Sequence, residues 1–333
     1  MLGSNTVAAL LKSGYDVRAM IRRNSRTTAL GGLDVEHVYG DLSDEASIYR
    51  AVRGCQVVVH AAANTRQRGG VAADYQRDNI DAVDKISAAV LQNGVERFIF
   101  VSTANVFQPG DASCPGDETT AVAPALSDSL YISSKIEAER LILEKVRREH
   151  LPAIIVNPTF MIGPRDAQPS SGRLLLHGLR NGIIVCPAGG KNFIDVRDVA
   201  AGIVAAITSG RIGQNYLLAN ENLSYAGFFE KVAEVAGMRK HQLLIPPGVL
   251  SSAARLGEVW KKCSGRQPPL TNTNALLLNR NCYYTGAKAV RELGLPQTPI
   301  ESAIAAAVEW FALFNYWQPP GNSIYSPIIT LRP

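Results

Sequence analysis

Short apolar runs alternate with longer amphipathic stretches through the first half of the chain. Residues 15–21, 35–39, 57–60, 98–101 and 154–156 read as strands, the last broken by Asn157 and Pro158. Between them, residues 4–13, 44–52, 73–93 and 131–149 place apolar side chains at helical spacing. Gly14 is a natural C-cap for the first helix, Ser43 is placed to cap the second, and Ser127 or Asp128 the fourth. Short apolar strands separated by helices predict a parallel α/β sheet with right-handed crossovers. Any ligand crevice then lies at the carboxyl ends of the strands. Arg22, Asp41, Ala61, Ala62, Ala63, Thr103 and Pro158 all stand at such ends.

Beyond Pro164 the pattern loosens. A helix around residues 171–182, a strand at 183–186, a strand-to-helix passage at 193–207, a strand at 214–219 and a helix at 224–237 follow one another. Residues 246–269 are punctuated by Pro and Gly around a helix, and residues 300–317 form a last amphipathic helix. Asp195 is placed as an N-cap and Asp198 in the first turn behind it. The predicted division is a sheet domain over 1–163, a small α/β lid over 164–318 with elements returning to the main sheet, and a coil tail over 319–333.

Composition narrows the class. The chain has 333 residues, 46% hydrophobic and 19% charged, which is the profile of a globular enzyme. Its net charge of +5 suits anionic small molecules, while no basic tract points to nucleic acid. The five cysteines are scattered and without a CxxC pair, which argues for reduced thiols in a cytoplasmic setting and against a zinc site. No apolar run approaches membrane-spanning length, and the first residues read as an amphipathic helix rather than a signal peptide.

The chemistry concentrates in residues 98–135. The strand FIFV ends in Ser102 and Thr103, and a helix then presents Tyr131 and Lys135 at i and i+4 on one face. A free tyrosine, with a pKa near ~10, is a poor acid–base group at neutral pH. A nearby ammonium stabilises the phenolate and brings that value down. A hydroxyl at the strand end can hold a carbonyl oxygen as charge builds on it. Adjacent strand residues point oppositely, so one of Ser102 and Thr103 serves, and Thr103 is favoured. Arg22, directly after the second strand, stands where a bidentate contact to a 2′-phosphate would select NADP over NAD. Ala61–Ala63 are small enough for a cofactor backbone to pass closely. His60, a lone histidine ending an apolar strand, is assigned no role.

These residues resemble the extended short-chain dehydrogenases/reductases, the NAD-dependent epimerase/dehydratase family, and within it dihydroflavonol reductases and 3β-hydroxysteroid dehydrogenases. The resemblance runs from LGSNTVAALLKSGYDVRAMIR to the last helix. It implies a Rossmann-like doubly wound sheet, a nicotinamide cofactor (NADP, with NAD as the alternative) and a catalytic triad on Thr103, Tyr131 and Lys135. It adds Asn79 as part of a proton relay to the lysine, Asp41 and its neighbour Leu42 at the adenine, and Pro158 and Thr159, from NPTFMIGP, beside the nicotinamide. Lys191 occupies a position where sugar-nucleotide enzymes often carry an arginine.

The opening residues depart from the family, which begins with a strand and a GxxGxxG turn. Met1-Leu2-Gly3 retains only the last glycine as a cofactor contact. The expectation is a sheet whose first strand is missing, from a shortened start. The expected function is interconversion of a ketone and a secondary alcohol on a small, largely apolar substrate, with a homodimer compatible. Two rivals stand beside it: a nucleotide-sugar epimerase or dehydratase with tightly held NAD, and a non-catalytic remnant that keeps the triad but holds no cofactor.

Overall fold

The computed structural model describes residues 1–65, 70–120, 129–180, 182–264, 270 and 272–318. Helix α1 (Leu2–Lys12) precedes two short parallel strands, β1 (Arg18–Ile21) and β2 (Glu36–Tyr39). Helix α2 (Glu45–Val52) leads to the main ladder, in which β3 (Val57–His60), β4 (Arg97–Val101), β5 (Ala153–Pro158) and β9 (Asn215–Leu218) pair in that order, all parallel. Among the described residues no ladder joins β1 to β3, so the parallel strands form two separate sheets.

The alternation along β4 and β5 shows why both faces of the main sheet are covered. Phe98, Phe100, Ala153 and Ile155 pack with Val83, Ile86, Ala138 and Ile142 of two helices, α4 (Ala82–Gln92) and α5 (Leu130–Glu149). Ile99, Val101, Ile154 and Val156 pack on the other face with Val199, Ile203 and Ala206 of α7 (Val196–Ser209). A strand that is apolar at every position is therefore stable here only between two helical layers.

The second region is built on β8 (Gly190–Asp195), flanked by antiparallel β10 (Glu221–Ser224) and parallel β12 (Asn281–Cys282), with β6 (Phe160–Ile162) also pairing with β8. Phe193 of β8 stacks on Phe228 at 4.3 Å between ring centroids. Around this pair pack Phe229 from α8 (Tyr225–Val235) and Phe311 from α12 (Ile300–Leu313), which precedes the tail. A parallel pair, β7 (Ile183–Pro187) and β11 (His241–Ile245), lies outside this sheet.

Several boundaries differ from those the sequence predicts. The N-cap of α2 is Asp44, whose carboxylate accepts from the Ala46 amide, while Ser43 bonds to Asp41 instead. The helix expected over 73–93 is interrupted: α3 (Ala72–Tyr75) passes through a π-helical turn, Gln76–Asp81, before α4. β5 runs on through Asn157 and Pro158, because a proline at the last ladder position gives up no bond the strand needs. Asp195 and Asp198 hold their expected places: Asp195 caps α7, and Asp198 accepts from the amide and hydroxyl of Thr298. Ser127, Asp128 and the tail 319–333 lie outside the described residues.

Asn192 ties the two regions together. Its side chain is buried, accepts from the Thr159 hydroxyl at 2.7 Å and the Asn220 amide at 3.0 Å, and donates to Asn220, Asn222 and Tyr284. Replacing it strands several buried polar groups at once, each costing about 1–3 kcal/mol. Asn192→Leu is therefore expected to lower the unfolding free energy by about 2–4 kcal/mol in chemical denaturation; a change below about 0.5 kcal/mol would show that the junction is not held this way.

Candidate active site

Tyr131 and Lys135 sit in the first two turns of α5, whose N-cap is Ser129. Four residues apart on one helix, they face the carboxyl end of β4. Thr103, two residues past that end, brings its hydroxyl beside that of Tyr131. The Thr103 hydroxyl also accepts from the Asn105 amide at 3.3 Å, capping a short 3-10 turn, Ala104–Val106. Ser102 points the other way, toward Glu139, and its buried hydroxyl has no hydrogen-bond partner. Of the two hydroxyls, then, it is Thr103 that meets Tyr131.

Lys135 is almost wholly buried. Its ammonium donates to the Val101 carbonyl at 2.9 Å and lies 4.6 Å from the centre of the Phe100 ring. Burial pulls its pKa down to about 8, with Glu139 working against that fall. Burial also pushes Tyr131 up to about 12, offset in part by Thr103. His60 is buried against Phe100, with its Nε2 unpartnered, and is held neutral by burial and by the Lys135 charge, its pKa near 3.

Behind the lysine lies a polar cluster the sequence pattern did not flag. The Glu139 carboxylate accepts from Asn157 at 2.6 Å and from Asn215 at 2.9 Å, joining α5 to β5 and β9. Its burial raises its pKa. The signal was available, since Glu139 is one further helical turn along from Lys135 in KIEAE.

Asn79 lies in the π-helical turn, where such turns frequently mark functional sites. Its bonds run to the Asn64 amide (2.7 Å), the Asn64 carbonyl (3.1 Å) and the Ser134 hydroxyl (2.9 Å). Asn79 thus pins the loop after β3 to α5, beside Lys135.

The cofactor candidates line the strand ends. Arg22 follows β1 and is exposed, and its guanidinium has no hydrogen bond or ion pair among the described residues. Asp41 follows β2 with Gly40 between; its carboxylate is engaged by Ser43 and held below the usual range chiefly by that bond, with Arg22 a smaller influence. Leu42 packs on the core beneath rather than standing free. Ala61, Ala62 and Ala63 follow β3, with Ala62 exposed. Gly3 lies inside α1, where an added Cβ would meet only open space. Pro158 ends β5 and Thr159 follows it, and both line a cavity of about 60 Å³ together with Thr103, Asn105, Phe160 and Lys191. A free cation at one strand end, alanines in the middle and Tyr131, Lys135 and Thr103 at the other end fit a nicotinamide dinucleotide. Among the described residues no cluster of three metal-ligating side chains occurs, and no helix is long and apolar enough to cross a membrane.

Comparison with known proteins follows the same lines. The profile of the NAD dependent epimerase/dehydratase family matches residues 1–219. A protein of Synechocystis sp. that carries a dihydroflavonol 4-reductase name is 32% identical over 321 residues, covering 95% of this chain and 93% of its own. Sterol demethylase protein B of Methylococcus capsulatus is 33% identical over 316 residues, covering 93% and 95%. The crystal structure of gox2253 superposes with a TM-score of 0.84 at 29% identity, over 94% of this chain and 96% of that one. The parallel strands, the paired Tyr131 and Lys135 and these relatives agree: the chain belongs to the NAD dependent epimerase/dehydratase family and is an NAD(P)-dependent oxidoreductase of the extended short-chain dehydrogenase type.

Proposed function

We propose that the protein interconverts a ketone and a secondary alcohol on a largely apolar substrate. The observation that carries this reading is the placement of Thr103 beside Tyr131, with the buried Lys135 ammonium one helical turn away. The nicotinamide, when bound, supplies or accepts the hydride. In the reducing direction Thr103 donates to the substrate oxygen and Tyr131 delivers the proton to it. Lys135 stabilises the phenolate left behind, which matters because burial alone drives Tyr131 away from ionisation. We assign Arg22 to the 2′-phosphate of NADP, since it is an unpaired guanidinium at the end of β1. The names of the relatives, a dihydroflavonol reductase and a sterol demethylase component, support an apolar polycyclic substrate body.

Three measurements bear on this. Tyr131→Phe is expected to slow single-turnover hydride transfer by about 10²–10⁴-fold with cofactor binding intact; an unchanged rate would sink the assignment. Arg22→Glu is expected to weaken NADPH binding by about 10–100-fold and to leave NADH nearly unaffected, whereas equal losses for both would remove Arg22 from the 2′-phosphate. The third concerns stability. Because folding lowers the pKa of Lys135 from 10.5 to about 8, its penalty is fully present below pH 8 and fades as pH rises from 8 to 10.5. Lys135→Met should therefore inactivate the enzyme and yet stabilise the unliganded chain by about 1–3 kcal/mol at pH 7. That gap should narrow between pH 8 and 10.5; a pH-independent gap would mean that the buried charge is not its source.

A further inference from the structure

Lys191 is a cation without an anion. It stands in the middle of β8, in register with Leu223 on β10 and Cys282 on β12, and shares a sheet face with Phe193, two residues along. Its ammonium lies 5.4 Å from the centre of the Phe160 ring. Among the described residues it makes no hydrogen bond and no ion pair, and burial lowers its pKa. An ammonium emerging among a phenylalanine, a leucine and a thiol carries a desolvation cost that a ring face offsets only in part. The cavity it lines is the one lined by Thr103. A second unused donor lines the same cavity: the Asn105 carboxamide has no hydrogen-bond partner among the described residues. Thr159 and Asn192 also line it, but their polar atoms are bonded to each other and to the backbone.

We propose that Lys191 and Asn105 form a subsite for a carboxylate carried by the substrate within a few bonds of the reacting carbon. The inference rests on the reading of Thr103, which lines this cavity, as the hydroxyl that holds the reacting oxygen beside Tyr131. Charge favours a small anion: one ammonium with one amide matches a single negative charge rather than a diphosphate. The substrate class is therefore a hydroxy or oxo acid with its carboxylate close to the carbinol or ketone, its apolar remainder extending out of this small chamber.

The test uses 3-hydroxydecanoate and its methyl ester with NADP, on the full chain. Wild type is expected to oxidise the acid with a kcat/KM at least about tenfold above the ester. Lys191→Met should bring that ratio to about one by losing the acid alone, and Lys191→Arg should restore part of it. An ester preferred by wild type, or acid and ester lowered alike in Lys191→Met, overturns the subsite. Tyr131→Phe run alongside separates the two readings. If it leaves oxidation unchanged, the reaction assignment fails whatever the ratio; if it abolishes oxidation while the ratio ignores Lys191, only the subsite fails. Should neither compound turn over, calorimetric binding decides: tighter binding of the acid by wild type than by Lys191→Met upholds the subsite, and equal affinity overturns it.

Discussion

The site depends on holding an ammonium inside the protein. Lys135 is buried against the Phe100 ring with one carbonyl, that of Val101, as its hydrogen-bond partner. A charge so placed is costly unless its surroundings are arranged for it. The arrangement reaches through three strands. His60, stacked on the same phenylalanine, stays neutral, and Glu139 supplies the opposing charge one turn away. Asn157 and Asn215 fix that carboxylate from β5 and β9. The main sheet thus does more than carry Thr103 at a strand end; the order of its strands brings together the groups that make a buried lysine tolerable.

Much of this was legible in the sequence because it rests on local rules. Period-two burial along FIFV and AIIV follows from the pleat, and the i, i+4 pairing of Tyr131 and Lys135 follows from the helix repeat. The choice of Thr103 over Ser102 needed only one fact beyond the pleat, namely which face α5 covers. What stayed hidden depends on residues distant in sequence. Asn157 and Asn215 look like ordinary strand-end asparagines until Glu139 is placed between them. The π-helical turn stayed hidden because residues 73–93 contain no proline or glycine to mark a break, and it is this turn that sets Asn79 against Asn64 and Ser134. Ser43 lost the cap of α2 to Asp44 because Asp41 offered its hydroxyl a stronger acceptor.

The separation between β1 and β3 has a consequence for the cofactor candidates. Arg22 and Asp41 belong to one small sheet, and Ala61–Ala63, Thr103 and Pro158 belong to another. Across this boundary Met20 of β1 packs into the same cluster as Val58 of β3 and Ile48 and Val52 of α2. On the proposed assignment, the residues for the adenine end and those for the nicotinamide end are therefore carried by different ladders, linked through apolar packing and not through a shared strand. Packing of that kind is less directional than a hydrogen-bonded ladder.

The join between chemistry and recognition is of the opposite kind. Thr159, one residue beyond β5, donates to Asn192 of β8, and Asn192 in turn holds β10 and Tyr284. Lys191 is the neighbour of that asparagine, on the other face of the same strand. The hydroxyl–tyrosine–lysine group is built on β4 and α5, while the cation facing it rides on β8, and the two are fixed to each other by a buried, fully bonded amide. Substitutions on the Lys191 face of β8 can therefore change which substrate group is recognised without moving Thr103 or Tyr131, whereas substitutions at Asn192 disturb both. On the proposed reading the main sheet positions the reacting atoms and β8 the selecting charge, and the Asn192 amide fixes one to the other.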